Sequence, residues 1–281
     1  MTEFAVGTRY KGKALPHGAF AAVTTWAFGL LCALILVFLA LPTLLVILMS
    51  FSETAYLRFP PEGFSLVWYK AYFADPGWIS ATLFSLRIAS MTTVCSVLIG
   101  TCAAVALVRG NVPGREFINA LLLAPLIVPH IIVAIAVYLQ FAPLKLIGTT
   151  TGFVLIHTAL AVPYVVVIVS AALSRLDFSL EMAALNLGAS RMRAFLEVTA
   201  PLVLPAILAG AVFAFLASFD ETIVAFFISG AENKTVTRKL FEDIDFNLSP
   251  IIAAVSTIFI VVTIGLMGFG QLARRQFTSR T

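Results

Sequence analysis

Residues 175–201, RLDFSLEMAALNLGASRMRAFLEVTAP, form a polar island between two long apolar runs. Ser179 is a good helix N-cap, and Glu181, two residues on, lies where the positive end of a helix dipole favours a carboxylate. Apolar Leu180, Ala183, Ala184 and Leu187 follow at helical spacing and predict a short amphipathic helix. Gly188 can take the left-handed conformation that ends it. Ser190 can cap a second helix on which Met192, Phe195, Leu196 and Val198 share a face. Pro201 and Pro205 then open the next apolar run. Two short helices around a glycine elbow, held at a membrane surface, make a docking platform for another protein.

The composition around the island requires that membrane. Hydrophobic residues make up 60% of the chain and charged residues 11%, with a mean hydropathy of +1.03. Soluble domains carry about a quarter charged residues. A helical span needs about 20 apolar residues to cross roughly 30 Å of hydrocarbon. The 281 residues hold six apolar runs, at 24–50, 79–108, 118–142, 152–174, 201–228 and 250–273. The predicted fold is therefore an all-α integral membrane protein with six transmembrane helices. Its parts are an N-terminal tail 1–23, a membrane domain 24–273 with the island at 175–200, and a basic tail 274–281. The first run is longer than the 7–15 residues of a signal-peptide core and is expected to stay as the first span.

Six spans put both termini on one side. With the tails, the turn 109–117 and the island in the cytoplasm, eleven of the 18 Lys/Arg lie inside and six lie in the opposite loops. The excess of basic residues in cytoplasmic loops places both termini and the island there. Loop 51–78 carries Trp68, Tyr69, Tyr72 and Trp78, read either as an interfacial aromatic belt or as a surface for an outside partner. Cys32, Cys95 and Cys102 lie in apolar runs without metal-ligand spacing and read as small buried hydrophobes.

Ala183-Ala184, then Gly188-Ala189, Phe195, Pro201-Leu202 and Pro205 resemble the EAA loop of ABC-importer permease subunits. The segments FSLVWYKAYFADPGW (64–78), APLIVPHIIVAIAV (124–137), ASFDETIVAFFISG (217–230) and SPIIAAVSTIFIV (249–261) are similar to permeases of the spermidine/putrescine type. Met182 stands six residues before Gly188, where the family places its motif glutamate; the acid here, Glu181, is one residue earlier. The resemblance implies a type I importer fold in a bacterial inner membrane and a cytoplasmic coupling helix. It also implies two ATPase subunits, a second permease subunit of a different chain, and a periplasmic solute-binding protein. Putrescine or spermidine is the implied cargo.

Charges inside apolar runs are costly and mark function. Arg87 lies about 12 Å into the second run, and Asp220 roughly 28 Å along the fifth, at 1.5 Å per residue. Asp220 and Glu221 are expected to face the path and attract a cationic solute, with Arg87 as counter-charge to one of them. The alternative is a structural ion pair, or an arginine that snorkels outward. Pro125 with Pro129, and Pro163, mark potential breaks in the third and fourth spans. His130 and His157 lack partners at metal spacing and read as buried, hydrogen-bonded side chains.

No phosphate-loop motif is present, since Gly12-Lys13 is followed by Ala14. The chain is expected to bind no cofactor or metal, to catalyse no reaction, and to leave ATP and Mg²⁺ to its ATPase partners; nucleic acid is not a partner. A proton-coupled transporter using Asp220 or Glu221 would leave the island unexplained. An intramembrane serine protease at Ser190 would lack the second glycine of a nucleophile elbow.

Overall fold

The computed structural model describes the backbone of residues 18–56, 59–230, 233–246 and 249–278. Among them all regular structure is helical, apart from one antiparallel bridge between Ser52 and Phe64. Helix α1 (Gly18–Ser50) supplies most of a first compact unit that ends at Leu48, and its apolar side chains from Trp26 to Leu41 are largely exposed, as for a helix solvated by lipid.

The second unit begins at Met49. It contains α2 (Val67–Ala74), α3 (Pro76–Arg109), α4 (Arg115–Leu123), α5 (His130–Phe141) and α6 (Thr150–Arg175). The island forms α7 (Phe178–Asn186) and α8 (Arg191–Ala194); then come α9 (Ala200–Phe219), α10 (Ile223–Ile228), α11 (Val236–Phe246) and α12 (Ile251–Thr278). Four helices among the described residues are long and apolar enough to cross a membrane: Thr24–Ser50, Pro76–Arg109, Thr150–Arg175 and Arg191–Phe219. A fifth would be Arg115–Leu126 with His130–Phe141, bent by 98°, while the described apolar part of α12, Ile251–Gly265, is shorter. Of the six predicted runs, the first, second and fourth thus appear as whole helices, the third and fifth as broken ones, and the sixth within α12.

Helix α6 is the axis of this unit. It packs on α3 and on α9, and Ala161, Val165, Val169 and Leu173 bury themselves with Ala104, Val203 and Ala214. Between helices in lipid the attraction is mostly close packing, which needs small residues at the crossings. Gly100 of α3 and Gly210 of α9 supply them, both against Val165. A Cβ at Gly100 would lie 2.7 Å from Val165 Cβ, and one at Gly210 would lie 3.4 Å from Val165 Cα.

Prolines act differently in the two places where breaks were expected. At Pro125–Pro129 the chain leaves α4 through a 3₁₀ turn (Ala124–Leu126) and restarts at His130, because two missing N–H donors fall within five residues. Buried Pro163 leaves α6 continuous, since packing on both sides carries the helix past one missing bond. The fifth run, expected as one helix over 201–228, is instead interrupted at residues 220–222. It also starts earlier: α8 passes through a π turn (Phe195–Thr199) into α9 without a gap. The wider i→i+5 step, with the Ala200 N–H on the Phe195 carbonyl, admits Pro201, whose ring would crowd an ordinary α turn.

Two of the four loop aromatics belong to the core, while Trp68 and Tyr69 are half-buried. Tyr72 and Trp78 are buried against Val236, Ile251 and Val255, and the Tyr72 hydroxyl is 2.8 Å from Thr82 Oγ1. The stretch 229–249, expected as a loop, contains amphipathic α11, whose apolar face completes this cluster. Cys102 is exposed and Cys32 and Cys95 are half-buried, so none is the fully buried hydrophobe expected.

The crossing at Gly100 makes a quantitative prediction. Gly100→Leu forces α3 from α6 and should cost about 1–3 kcal/mol, read as a lower melting temperature of the detergent-purified protein. Gly265→Ala, in α12 where an added Cβ meets nothing within 4 Å and alanine is the better helix former, should melt no lower than the wild type. Equal melting of all three proteins would contradict this packing.

Candidate functional site

Two interruptions in apolar helices come together in one place. α5 restarts at His130, α10 restarts at Ile223, and the two helices pack on each other beside Phe153 and Ile156 of α6. Glu221, in the second interruption, joins them. Its Oε1 accepts from the Val224 N–H at 2.9 Å, capping α10, and its Oε2 lies 3.0 Å from His130 Nδ1. Glu221 is 7% exposed, so both carboxylate oxygens work inside the protein.

Asp220, its neighbour, is free. Among the described residues no hydrogen bond or ion pair reaches its exposed carboxylate, which lines a cavity of about 900 Å³. The polar wall of that cavity also includes His130, Tyr164, Thr222 and Thr237, and its apolar wall includes Phe219, Leu240 and Phe259. No Lys or Arg among the described residues lines it. Arg87 does not belong here: it is exposed on α3 and pairs with neither acid, so the neighbour of Glu221 is His130 instead. His130 is correspondingly half-exposed, not buried, whereas His157 is buried with Nδ1 2.9 Å from Ser218 Oγ. Among the described residues no three His, Cys, Asp or Glu side chains gather as a metal site.

Helix α11 closes one side of the cavity through Thr237, Leu240 and Phe241. It is fixed to both ends of α10: Thr237 Oγ1 donates to the Glu221 carbonyl at 3.2 Å, and Arg238 Nη1 donates to the Phe226 carbonyl at 2.8 Å. Its N-terminus is tied to α3 by the Val236 N–H on Ser85 Oγ at 2.9 Å. Burial pushes the Glu242 carboxyl up, but hydrogen bonds and charge from Lys234 and Arg238 hold it below its usual value. Burial raises Asp243, against the opposing pull of Lys239.

The island forms a second surface. Asp177, not Ser179, is the N-cap of α7: its Oδ1 accepts from the Ser179 N–H at 2.9 Å, which holds the Asp177 carboxyl below its usual range. The cap falls at Asp177 because the backbone is extended there and at Leu176 before it, whereas Ser179 already lies inside α7. Gly188 has φ +90, and the Ala189 N–H reaches the Ala184 carbonyl at 3.1 Å, so the elbow is present. Ser190 caps α8 through the Arg193 N–H at 3.2 Å, leaving its hydroxyl a structural task. Met182, Ala183 and Leu187 point outward, Leu187 being 89% exposed, while Glu181, Ala184 and Ala189 are half-buried. Phe195 and Pro201 lie where the elbow passes into α9.

The family model described as binding-protein-dependent transport system inner membrane component matches residues 96–278. Over 239 residues the chain is 33% identical to the putrescine transport system permease protein PotI of Escherichia coli (strain K12), covering 83% of this chain and 84% of that relative. It is 28% identical to the spermidine/putrescine transport system permease protein PotC of Haemophilus influenzae over 242 residues, 85% of this chain and 93% of the relative. In fold it is similar to a chain of a bacterial ABC transporter involved in import of the acidic polysaccharide alginate, with TM-score 0.65, 15% identity and coverage of 95% and 99%. The alginate transporter in complex with its alginate pentasaccharide-bound periplasmic protein matches with TM-score 0.68 and 13% identity, covering 93% and 98%. Helical architecture, broken spans, island and family match agree: this chain belongs to the binding-protein-dependent transport system inner membrane components.

Proposed function

We propose that this membrane subunit carries diamines and polyamines, putrescine and spermidine among them, into the cell. The observation that supports it is the cavity, where Asp220 is unpaired and no described Lys or Arg is present to repel a cation. A polyamine is a set of ammonium groups on methylene linkers. One carboxylate beside aromatic walls such as Tyr164, Phe219 and Phe259 suits both parts, through charge and through cation–π contact. The names of its relatives, which transport putrescine and spermidine, point the same way.

In this reading residues 24–273 are the membrane domain, the tails 1–23 and 274–281 and the loop 175–200 are cytoplasmic, and α11 faces the periplasm. The exposed apolar face of Met182, Leu187 and Met192 docks on an ATPase subunit. Two such subunits hold the ATP and Mg²⁺, because this sequence has no phosphate loop of its own. A different permease chain completes the path, and a periplasmic solute-binding protein delivers the cargo. Nucleotide-driven movement of the elbow is transmitted through α9 to the cavity.

The two acids should therefore separate in experiment. Asp220→Asn should lower putrescine uptake by about tenfold, as expected for losing a charge-assisted contact, with the complex still assembled. Glu221→Ala should instead lower the melting temperature through the lost cap, worth about 0.5–2 kcal/mol. Full uptake by Asp220→Asn in proteoliposomes would contradict the cargo site.

The elbow is tested separately. Gly188→Val places a β-branched residue at φ +90, a strain of about 1–3 kcal/mol, although an added Cβ meets nothing within 4 Å. ATP hydrolysis should continue while uptake falls. Wild-type uptake per ATP in this variant would remove the elbow from the mechanism.

A further inference from the structure

Helix α7 has no buried residue, so apolar packing alone does not hold it in place. Two polar attachments stand out. Glu181 turns inward, and its Oε2 accepts from Thr199 Oγ1 at 3.0 Å. Thr199 is 1% exposed in the π turn that leads into α9, so this bond fastens the first half of the elbow to the start of a membrane helix.

The second attachment is Arg109, the last residue of α3. Its Nη2 lies 3.5 Å from the Leu173 carbonyl and 3.4 Å from the Leu176 carbonyl, at the C-terminal end of α6. The Leu173 carbonyl also accepts the Leu176 N–H at 3.3 Å; carbonyls at a helix C-terminus lack the regular donor four residues on, and a cation there is favoured by the dipole. The same guanidinium stands 4.8 Å from the ring centroid of Phe178, the first residue of α7. A side chain at the end of α3 therefore touches the end of α6 and the start of α7 at once.

We propose that Glu181 and Arg109 are positioning residues that tie the coupling helix to α9, α3 and α6, and that Glu181 acts inward on Thr199, not outward on the ATPase. This rests on the importer reading above and extends it to particular side chains. The ties reach the three helices whose packing makes the core of the second unit, so displacement of α7 must displace them. Met182, 40% exposed, and Leu187 are left as the outward face, so the first half of the elbow presents an apolar surface to its partner at the place where Glu181 is absent.

The test is hydrogen exchange of the α7 amides in the complex purified from its native host, together with the amount of ATPase retained. Glu181→Ala and Thr199→Val should each speed exchange by about tenfold, the size expected for losing a hydrogen bond to a carboxylate. The double variant should be no faster than either single one. Glu181→Gln keeps an acceptor for the Thr199 hydroxyl and should restore both slow exchange and uptake per ATP. ATPase retention should match wild type in all four. Arg109→Gln should speed exchange at Phe178–Leu180 independently of the Glu181 variants. Loss of the ATPase from Glu181→Ala, with Thr199→Val unaffected, would place Glu181 on the partner and overturn the proposal, as would unchanged exchange in both single variants. A wild-type chain that purifies without any ATPase would count against the importer reading alone, because the exchange comparison can still be made on the chain by itself.

Discussion

Glu221 sits where two interrupted helices meet, and the architecture of the second unit depends on how that carboxylate is used. Backbone polar groups inside a bilayer must find partners within the protein. Each break in a helix therefore creates an obligation, and Glu221 meets it at α10 by accepting the Val224 N–H while its other oxygen stands beside His130 at the start of α5. Its own carbonyl takes the Thr237 hydroxyl from α11. One residue thus joins α5, α10 and α11 around the cavity, and the adjacent Asp220 is left free to face it. The sequence of two neighbouring acids divides into one that builds and one that is available.

The same division runs through the elbow. Glu181 works inward on Thr199, Arg109 at the end of α3 holds the end of α6 and the Phe178 ring, and Met182, Leu187 and Met192 stay outside. Core and elbow are linked because the helix that begins at Arg191 continues unbroken to Phe219, one residue from the cavity acid. A displacement at the elbow therefore has a rigid route to the cavity, roughly 40 Å away along 29 residues of helix.

Much of this was legible in residues 175–201 and in the spacing of the apolar runs. Gly188 and Ser190 take the roles their chemistry predicts, since a positive φ and a capping hydroxyl are local requirements. The break at Pro125–Pro129 was readable for the same reason. What was not legible depends on tertiary partners. Asp177 displaced Ser179 as the cap because α6 ends just before it. The interruption at residues 220–222 carries no proline or glycine, and only the position of His130 and Val224 shows why Glu221 leaves the helix. Arg109 gave no signal, because its role is fixed by the carbonyls of a helix 64 residues further on. Tyr72 and Trp78 read as surface aromatics until α11, a helix inside a stretch expected as loop, was seen to cover them.

The most direct test of the central claim, that this chain is an importer subunit driven through its elbow, is to purify the tagged chain from its native host in mild detergent and identify the bound proteins by mass. The account predicts an ATPase subunit and a second, different permease chain in the same complex. A folded, stable chain that purifies with neither would contradict it.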